Sequence, residues 1–292
     1  MSELLSIQQL NIAYNDTPTV KDVSLAVGEN QIIGIVGESG SGKSTLIRAV
    51  IGLLGREGRI TSGSIVFQGR HLETMTPRQL RDVRGGEVAM IFQQPESSFD
   101  PIRTIGDQFC ETIKLHERAS RAEALSRADA ILRGLGFDDP ARVLKSYPFE
   151  LSGGMCQRAA IAVGMACRPR LLLADEPTSA LDVTVQAETV RTLMKLREDS
   201  GTSILLVTHN MGVIAYMADL VGVMYKGRIV EWGTRQDILL HAAHEYTRAL
   251  ISAIPKLGEP FVPPKRYEGR DAENAVKVQL SPTHWVLGEA TA

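Results

Sequence analysis

Three cysteines are scattered through 292 residues, Cys110, Cys156 and Cys167, an odd number without C-x-x-C spacing. That pattern excludes a disulfide framework and a zinc knuckle as the basis of the fold and leaves three reduced thiols. Charge of one sign is also lacking: 32 Lys plus Arg against 34 Asp plus Glu give a net charge of −2. No pervasive basic field is present to hold a nucleic acid, so none is expected as a partner. Long apolar runs are missing too. A membrane span needs about 18 consecutive apolar residues, whereas the longest candidate, Ala159-Ala-Ile-Ala-Val-Gly-Met-Ala-Cys167, contains a glycine and sits between arginines. The N-terminal Met-Ser-Glu-Leu-Leu-Ser-Ile has no basic segment followed by an apolar one, so no secretory signal is visible and the cytoplasm is the expected compartment. Neither an internal repeat nor a low-complexity tract occurs.

What remains is ordinary globular composition, 43% hydrophobic and 23% charged, enough for a full core in one large domain or two. Residues 5–27 alternate apolar and polar (Ile7, Leu10, Ile12, Tyr14; then Val23, Leu25, Val27) around Asn15-Asp-Thr-Pro18, which predicts an antiparallel edge. Gln31-Ile-Ile-Gly-Ile-Val36 reads as a buried strand, followed by a glycine-rich turn and a helical pattern from Lys43 to Leu54. Two further apolar runs, Arg170 to Ala174 and Ser203 to Val207, flank a helical stretch from Thr184 to Leu196. Such alternation predicts a parallel sheet with crossover helices. Between the two halves, Ser120-Arg-Ala-Glu123 opens a helix as a capping box, with Leu125, Ala128, Leu132 and Leu135 on one face. Residues 95–165 therefore read as a helical insertion. After Gly227 and Gly233 a helical segment runs to about Ile254, and the Pro- and charge-rich tail beyond it (Pro255, Pro260, Pro263, Pro264) reads as an appendage with little core.

Gly37-Glu-Ser-Gly-Ser-Gly-Lys-Ser-Thr45 fits G-x-x-x-x-G-K-[ST], and it follows a predicted strand and precedes a helix as that motif requires. Its glycines let backbone N–H groups face phosphate oxygens, and the following helix adds its positive end. Lys43 would reach the β- and γ-phosphates and the Ser44 hydroxyl would ligate magnesium. Leu171-Leu-Leu-Ala-Asp-Glu176 delivers carboxylates at the C-terminal end of a strand, where ligands bind in α/β sheets. Asp175 would hold magnesium in its first or second shell, and Glu176, aimed differently, would accept a proton from water attacking the γ-phosphate. Ser152, Gly153 and Gly154 precede another helical pattern and make a second anion cradle at a helix N-terminus.

With the phosphate loop upstream, Leu151-Ser-Gly-Gly-Met-Cys-Gln157 resembles the signature motif of the ATP-binding cassette (ABC) ATPases, and the resemblance runs over residues 5–255. It implies an α/β fold: a P-loop NTPase, ABC-type nucleotide-binding domain over residues 1–255, with a RecA-like mixed-sheet core. An antiparallel β edge, a helical subdomain inserted at about 95–165 and a short C-terminal extension at 256–292 complete that fold. The implied activity is ATP hydrolysis coupled to transport, with ATP and Mg2+ as cofactors. In the same resemblance Tyr14 matches the aromatic residue that stacks on adenine, although its strand pattern alone reads as a core or surface aromatic. Gly37, Glu38, Ser39, Gly40, Ser41, Gly42, Lys43, Ser44 and Thr45 surround the phosphates. Gln93 matches the glutamine that touches magnesium and the attacking water and links to the membrane partner. His209 matches the histidine contacting the γ-phosphate. Ser152, Gly153, Gly154 and Gln157 would reach the nucleotide from an opposite subunit, as would Ser179-Ala-Leu-Asp182; Asp182 also suits a helix cap.

Three stretches narrow the resemblance to ATPases of peptide, nickel and opine-type importers: Ile91 to Pro101, Tyr147 to Met155, and Glu245 to Pro255. Ile51-Gly-Leu-Leu54 and Val83-Arg-Gly-Gly-Glu-Val-Ala-Met90 are similar to the first of the two ATPases such importers use. The implied partners are transmembrane permease subunits, a second ATPase subunit (a different chain or a second copy) and an extracytoplasmic solute-binding protein. The implied location is peripheral, on the cytoplasmic face of the cell membrane. Cys156 stands where the family usually has arginine, Phe149 where it has histidine and Glu245 where it has proline. Cys156 carries no expected chemistry and reads either as a partly buried small residue or as a thiol whose alkylation by a bulky reagent would obstruct a dimer interface. Some relatives carry a cysteine-ligated iron–sulfur cluster in the tail; with no cysteine beyond Cys167, none is expected here.

Overall fold

Asn15 and Asp16 both take positive φ, 44° and 66°, the paired left-handed conformations that a two-residue hairpin turn requires. They join strands Glu3–Tyr14 and Thr17–Gly28, so the predicted antiparallel edge is present with a tighter turn than the polar run suggested. In this computed structural model, which describes residues 3–179, 181–254, 267, 269 and 275–289, contacts divide the chain into two units. One comprises residues 28–30 and 74–204; the other comprises 3–27, 31–73 and 205–292. The Pro-rich segment from Pro255 to Pro264 and Ala180 lie outside the described residues.

The second of these, the phosphate-loop unit, holds two sheets. The antiparallel one has the order Thr17–Gly28, Glu3–Tyr14, Gly58–Phe67, Arg70–His71. Its inward residues Leu5, Ile7, Ile12, Ile65 and Phe67 are buried, in register Leu5 with Phe67 and Ile7 with Ile65. In the mixed sheet, Ile32–Val36 runs parallel to Leu220–Tyr225, and Arg228–Thr234 pairs antiparallel beyond it. Ile32–Val36 is buried at every position, as expected of a strand covered on both faces. In the tail, which read as an appendage with little core, Ala275–Gln279 and Trp285–Glu289 form a hairpin that extends this sheet, with Trp232 opposite Trp285 and Glu231 opposite Val286; Ala275–Gln279 is mostly exposed. His284 is buried there, its Nε2 2.9 Å from Glu231 Oε1.

The first, the helical unit, has a parallel strand pair, Val88–Ile91 with Leu171–Asp175. No strand lies between Ile91 and Leu171; helices Ile105–His116, Arg121–Gly134, Pro140–Lys145 and Gly153–Gly164 fill that stretch. The capping box at Ser120 has both of its bonds: Glu123 N–H donates to Ser120 Oγ at 3.2 Å and Ser120 N–H donates to Glu123 Oε2 at 2.7 Å. The helix it opens buries Ala124, Ala128 and Leu132, and Phe109 and Ile113 of Ile105–His116 are fully buried in the same unit. Each such large side chain contributes about 1.5–3 kcal/mol. Helix Val183–Ser200 completes the unit and ends at Gly201 in a left-handed cap. Among the described residues no helix is long and apolar enough to cross a membrane.

Candidate active site

In the phosphate-loop unit the buried strand Ile32–Val36 ends at Gly37 and helix Lys43–Val50 begins six residues later. Two glycines are dictated by backbone that presses on the loop. A Cβ at Gly37 would stand 2.1 Å from Met224 O, and one at Gly42 would stand 2.8 Å from Thr19 O at a φ of 103°. Any side chain at either position would force main chain apart. Lys43 is buried and folds back on its own loop, donating to Gly37 O and Glu38 O at 2.8 Å each and to Ser41 Oγ at 3.3 Å. Ser41 is buried; Glu38, Ser39 and Gly40 are exposed; Ser44 and Thr45 are half-buried in the helix's first turn. Tyr14, half-buried at the end of its strand, pairs with Gly58. His209 is exposed just after strand Ser203–Thr208, ahead of the Asn210 cap that accepts from Gly212 N–H at 2.8 Å.

In the helical unit, Leu171–Asp175 carries Asp175 to its end with no exposure at all. Glu176 follows at a φ of 47°, a left-handed conformation uncommon outside glycine. Gln93 Nε2 donates to Glu176 Oε2 at 3.3 Å. The structure thus brings together two residues 83 positions apart in the chain. Ser179 closes the turn, its N–H and hydroxyl both 3.0 Å from Glu176 O.

Ser152 caps helix Gly153–Gly164, accepting from Met155 N–H at 3.4 Å, and it lies exposed together with Gly153. A Cβ on Gly153 would meet nothing within 4 Å, whereas one on Gly154 would stand 2.4 Å from Val185 Cγ1. Val185 N–H in turn donates to Asp182 Oδ1 at 3.0 Å, as does Thr184 N–H. Asp182 is therefore a helix cap, and Val185 joins its loop to the Ser-Gly-Gly turn, a contact no motif announced. Gln157 is placed differently from its neighbours: it is 1% exposed, inside the unit and not on the open first turn. Cys156 is likewise buried, and burial pushes its thiol up to about 11. That matches the reading of a buried small residue and leaves the alkylation reading without an exposed thiol.

Comparisons with known proteins agree with these features. A family model described as "ABC transporter" matches residues 20–179, and one described as "Oligopeptide/dipeptide transporter, C-terminal region" matches residues 230–276. The chain is 45% identical over 240 residues to a probable peptide ABC transporter ATP-binding protein of Sinorhizobium fredii, covering 82% of this chain and 72% of that one. It is 39% identical over 277 residues to the dipeptide transport ATP-binding protein DppD of Escherichia coli, covering 91% and 85%. Among solved structures, an ATP-binding cassette captured as a dimer in a post-hydrolysis state with ADP and Pi superposes with a TM-score of 0.71 at 26% identity, covering 79% of this chain and 98% of that one.

Proposed function

This chain belongs to the ABC transporter family, and from that premise we propose that it is the ATPase of a peptide importer whose nucleotide sites are completed by a second subunit. It is an ATP-hydrolysing cassette of the dipeptide and oligopeptide transporter type. The observation that carries the composite-site reading is the Ser152-Gly153 turn, held exposed at a helix N-terminus with open space beside Gly153. A second cradle facing outward suits the nucleotide of another chain.

In this reading Lys43, now on the loop carbonyls, exchanges those partners for β- and γ-phosphate oxygens. Ser44 in the phosphate-loop unit, and Gln93 with Asp175 in the helical unit, each would offer hard oxygen donors of the kind Mg2+ takes, and the fully buried Asp175 carboxylate would fit a bound cation. Magnesium, when bound, neutralises charge developing on the phosphate oxygens. Glu176, oriented by its left-handed backbone and by Gln93, accepts the proton of the attacking water, and His209 contacts the γ-phosphate. Tyr14 stacks on adenine. Ser152, Gly153 and Gly154 of the other subunit, with its Asp182 loop, close on the γ-phosphate, so ATP joins the subunits and hydrolysis releases them.

Residues 95–165 form the helical subdomain that transmits closure to a permease, and the chain sits on the cytoplasmic face of the membrane as one of two paired ATPases. Peptide is the cargo class supported by the names of the relatives, in preference to nickel or an opine. Purification of the tagged chain from detergent-solubilised membranes tests this. Permease subunits and a second cassette ATPase are expected to accompany it, and peptide-loaded solute-binding protein is expected to raise the ATPase rate of the reconstituted complex. Stimulation by nickel or an opine and not by peptide would overturn the cargo assignment.

A further inference from the structure

Groups outside the motif hold the phosphate loop: Gly227 N–H donates to Ser41 O at 3.0 Å, and one side chain, that of Tyr246, reaches Glu38. The N–H of Glu38 donates to the Tyr246 hydroxyl at 2.8 Å, while the Glu38 carbonyl accepts from Lys43. The two peptide groups of one loop residue are therefore held from opposite directions, and only the lysine has to leave when phosphate arrives. Tyr246 is the tie that stays. It is 1% exposed, its ring centroid 4.4 Å from that of Tyr225 and 5.7 Å from that of Tyr267. Burial pushes its phenol up to about 12, so it remains a neutral acceptor at any physiological pH.

The supports of Tyr246 come from the C-terminal region. His244 Nδ1 accepts from Tyr246 N–H at 3.1 Å and caps helix Glu245–Ser252. Glu231, a fully buried carboxylate, accepts from Ala243 N–H at 2.7 Å and His244 N–H at 3.1 Å. The same carboxylate meets His284 of the tail hairpin. Lys226 Nζ donates to Gly269 O at 3.1 Å, and the Tyr267 ring centroid lies 5.2 Å from that of Tyr225. All of these residues lie in the phosphate-loop unit.

We propose that Tyr246 is a positioning residue for the phosphate loop: its hydroxyl fixes the Glu38 peptide, and the C-terminal region serves to hold that hydroxyl in place. This rests on the loop being the nucleotide site. Without the acceptor, the Glu38 peptide is free to turn, a smaller fraction of loops is ready for phosphate, and apparent affinity falls in proportion to that fraction. Because the loop serves the phosphates common to ATP and ADP, both nucleotides weaken alike. A role in γ-phosphate recognition or dimer closure would weaken ATP alone.

The test uses the full-length chain with magnesium and the fluorescent analogues mant-ATP and mant-ADP. Tyr246→Phe keeps the ring and removes the acceptor; Tyr225→Phe alters a neighbouring ring that holds no loop N–H. The expected result for Tyr246→Phe is a Kd raised about three- to tenfold for both nucleotides, the scale of one lost partly buried hydrogen bond. The KM for ATP should rise with it while kcat stays within about twofold, and Tyr225→Phe should match the parent. If Tyr246→Phe does not fold, His244→Ala, which removes the acceptor of the Tyr246 N–H, is expected to raise both Kd values as well. Parental Kd values in the folded variant would overturn the proposal. Failure of the parent itself to bind mant-ATP would instead overturn the nucleotide site, and this inference with it.

Discussion

Two glycine turns, each at the start of a helix, present their backbone in opposite ways. The loop Gly37–Thr45 is enclosed: Met224 O and Thr19 O press on Gly37 and Gly42, Lys43 is satisfied by the loop's own carbonyls, and Tyr246 ties Glu38. The turn Ser152–Gly154 is open: Gly153 has nothing within 4 Å of a would-be Cβ, and only Gly154 is constrained, by Val185. An enclosed cradle has its backbone and its lysine held by groups of its own unit. An open one leaves room for a side chain at position 153, and the proposed function assigns that room to a nucleotide held by another subunit. In the proposed function this difference separates what one chain would do alone, binding nucleotide, from what it would do with a second, hydrolysing it.

The largest effect that could break this division is at Glu176. Glu176→Gln keeps the shape and the bond with Gln93 but cannot take a proton, so steady-state hydrolysis should fall by about 10²–10⁴-fold while nucleotide binding persists. Near-normal turnover would remove Glu176 from the chemistry.

The glycines themselves sharpen the comparison at intermediate scale. Gly37→Ala forces a methyl group to 2.1 Å from a backbone oxygen and should cost about 1–3 kcal/mol in thermal unfolding. Gly153→Ala enters open space and should change stability by less than about 0.5 kcal/mol, yet lower hydrolysis once the subunits pair. Equal destabilisation at both positions would erase the distinction between enclosed and open turns.

A smaller effect probes the braces behind the enclosed loop. Burial holds His244 below its ordinary pKa of 6.5, with Arg248 adding to that and Glu231 and Glu245 opposing it. The unfolded chain then takes up a proton where the folded chain does not. This share of stability is full above the ordinary value of 6.5 and is lost as pH falls below it. Thermal midpoints measured from about pH 7 to about pH 5.5 should fall for the parent, and fall less for His244→Asn, whose amide can still cap the helix. An unchanged pH profile in the variant would show that His244 is not the group responsible.

These contrasts also explain what could be read in advance. The phosphate loop, the Ser120 box and the Ser152 and Asp182 caps are local: the residues that make the bonds lie within a few positions of one another, so the pattern is in the text of the chain. The tail hairpin was missed because its pairing is remote, Trp232 with Trp285, and its strands are only five residues each. Tyr246 went unassigned for the same reason, since it acts on a loop 208 positions away. Gln157 and Cys156 lie close to the signature turn in sequence, but helical rotation from the Ser152 cap carries both to the buried face. Val185 carried no signal at all beyond its place one turn past Asp182.

The claim at the centre is that the open turn is completed by another subunit's nucleotide, and mixing two dead variants tests it most directly. Lys43→Ala breaks the enclosed loop; Ser152→Arg fills the open turn with bulk and charge. Each alone should be inactive, with Ser152→Arg still binding ATP. Mixed dimers, made with this chain paired to itself or across its natural ATPase partner, contain one doubly broken site and one intact site. ATPase activity that returns on mixing, and that peaks near equal proportions of the two variants, is the expected result. Full hydrolysis by Ser152→Arg as a monomer would contradict it, because the site would then be complete within a single chain.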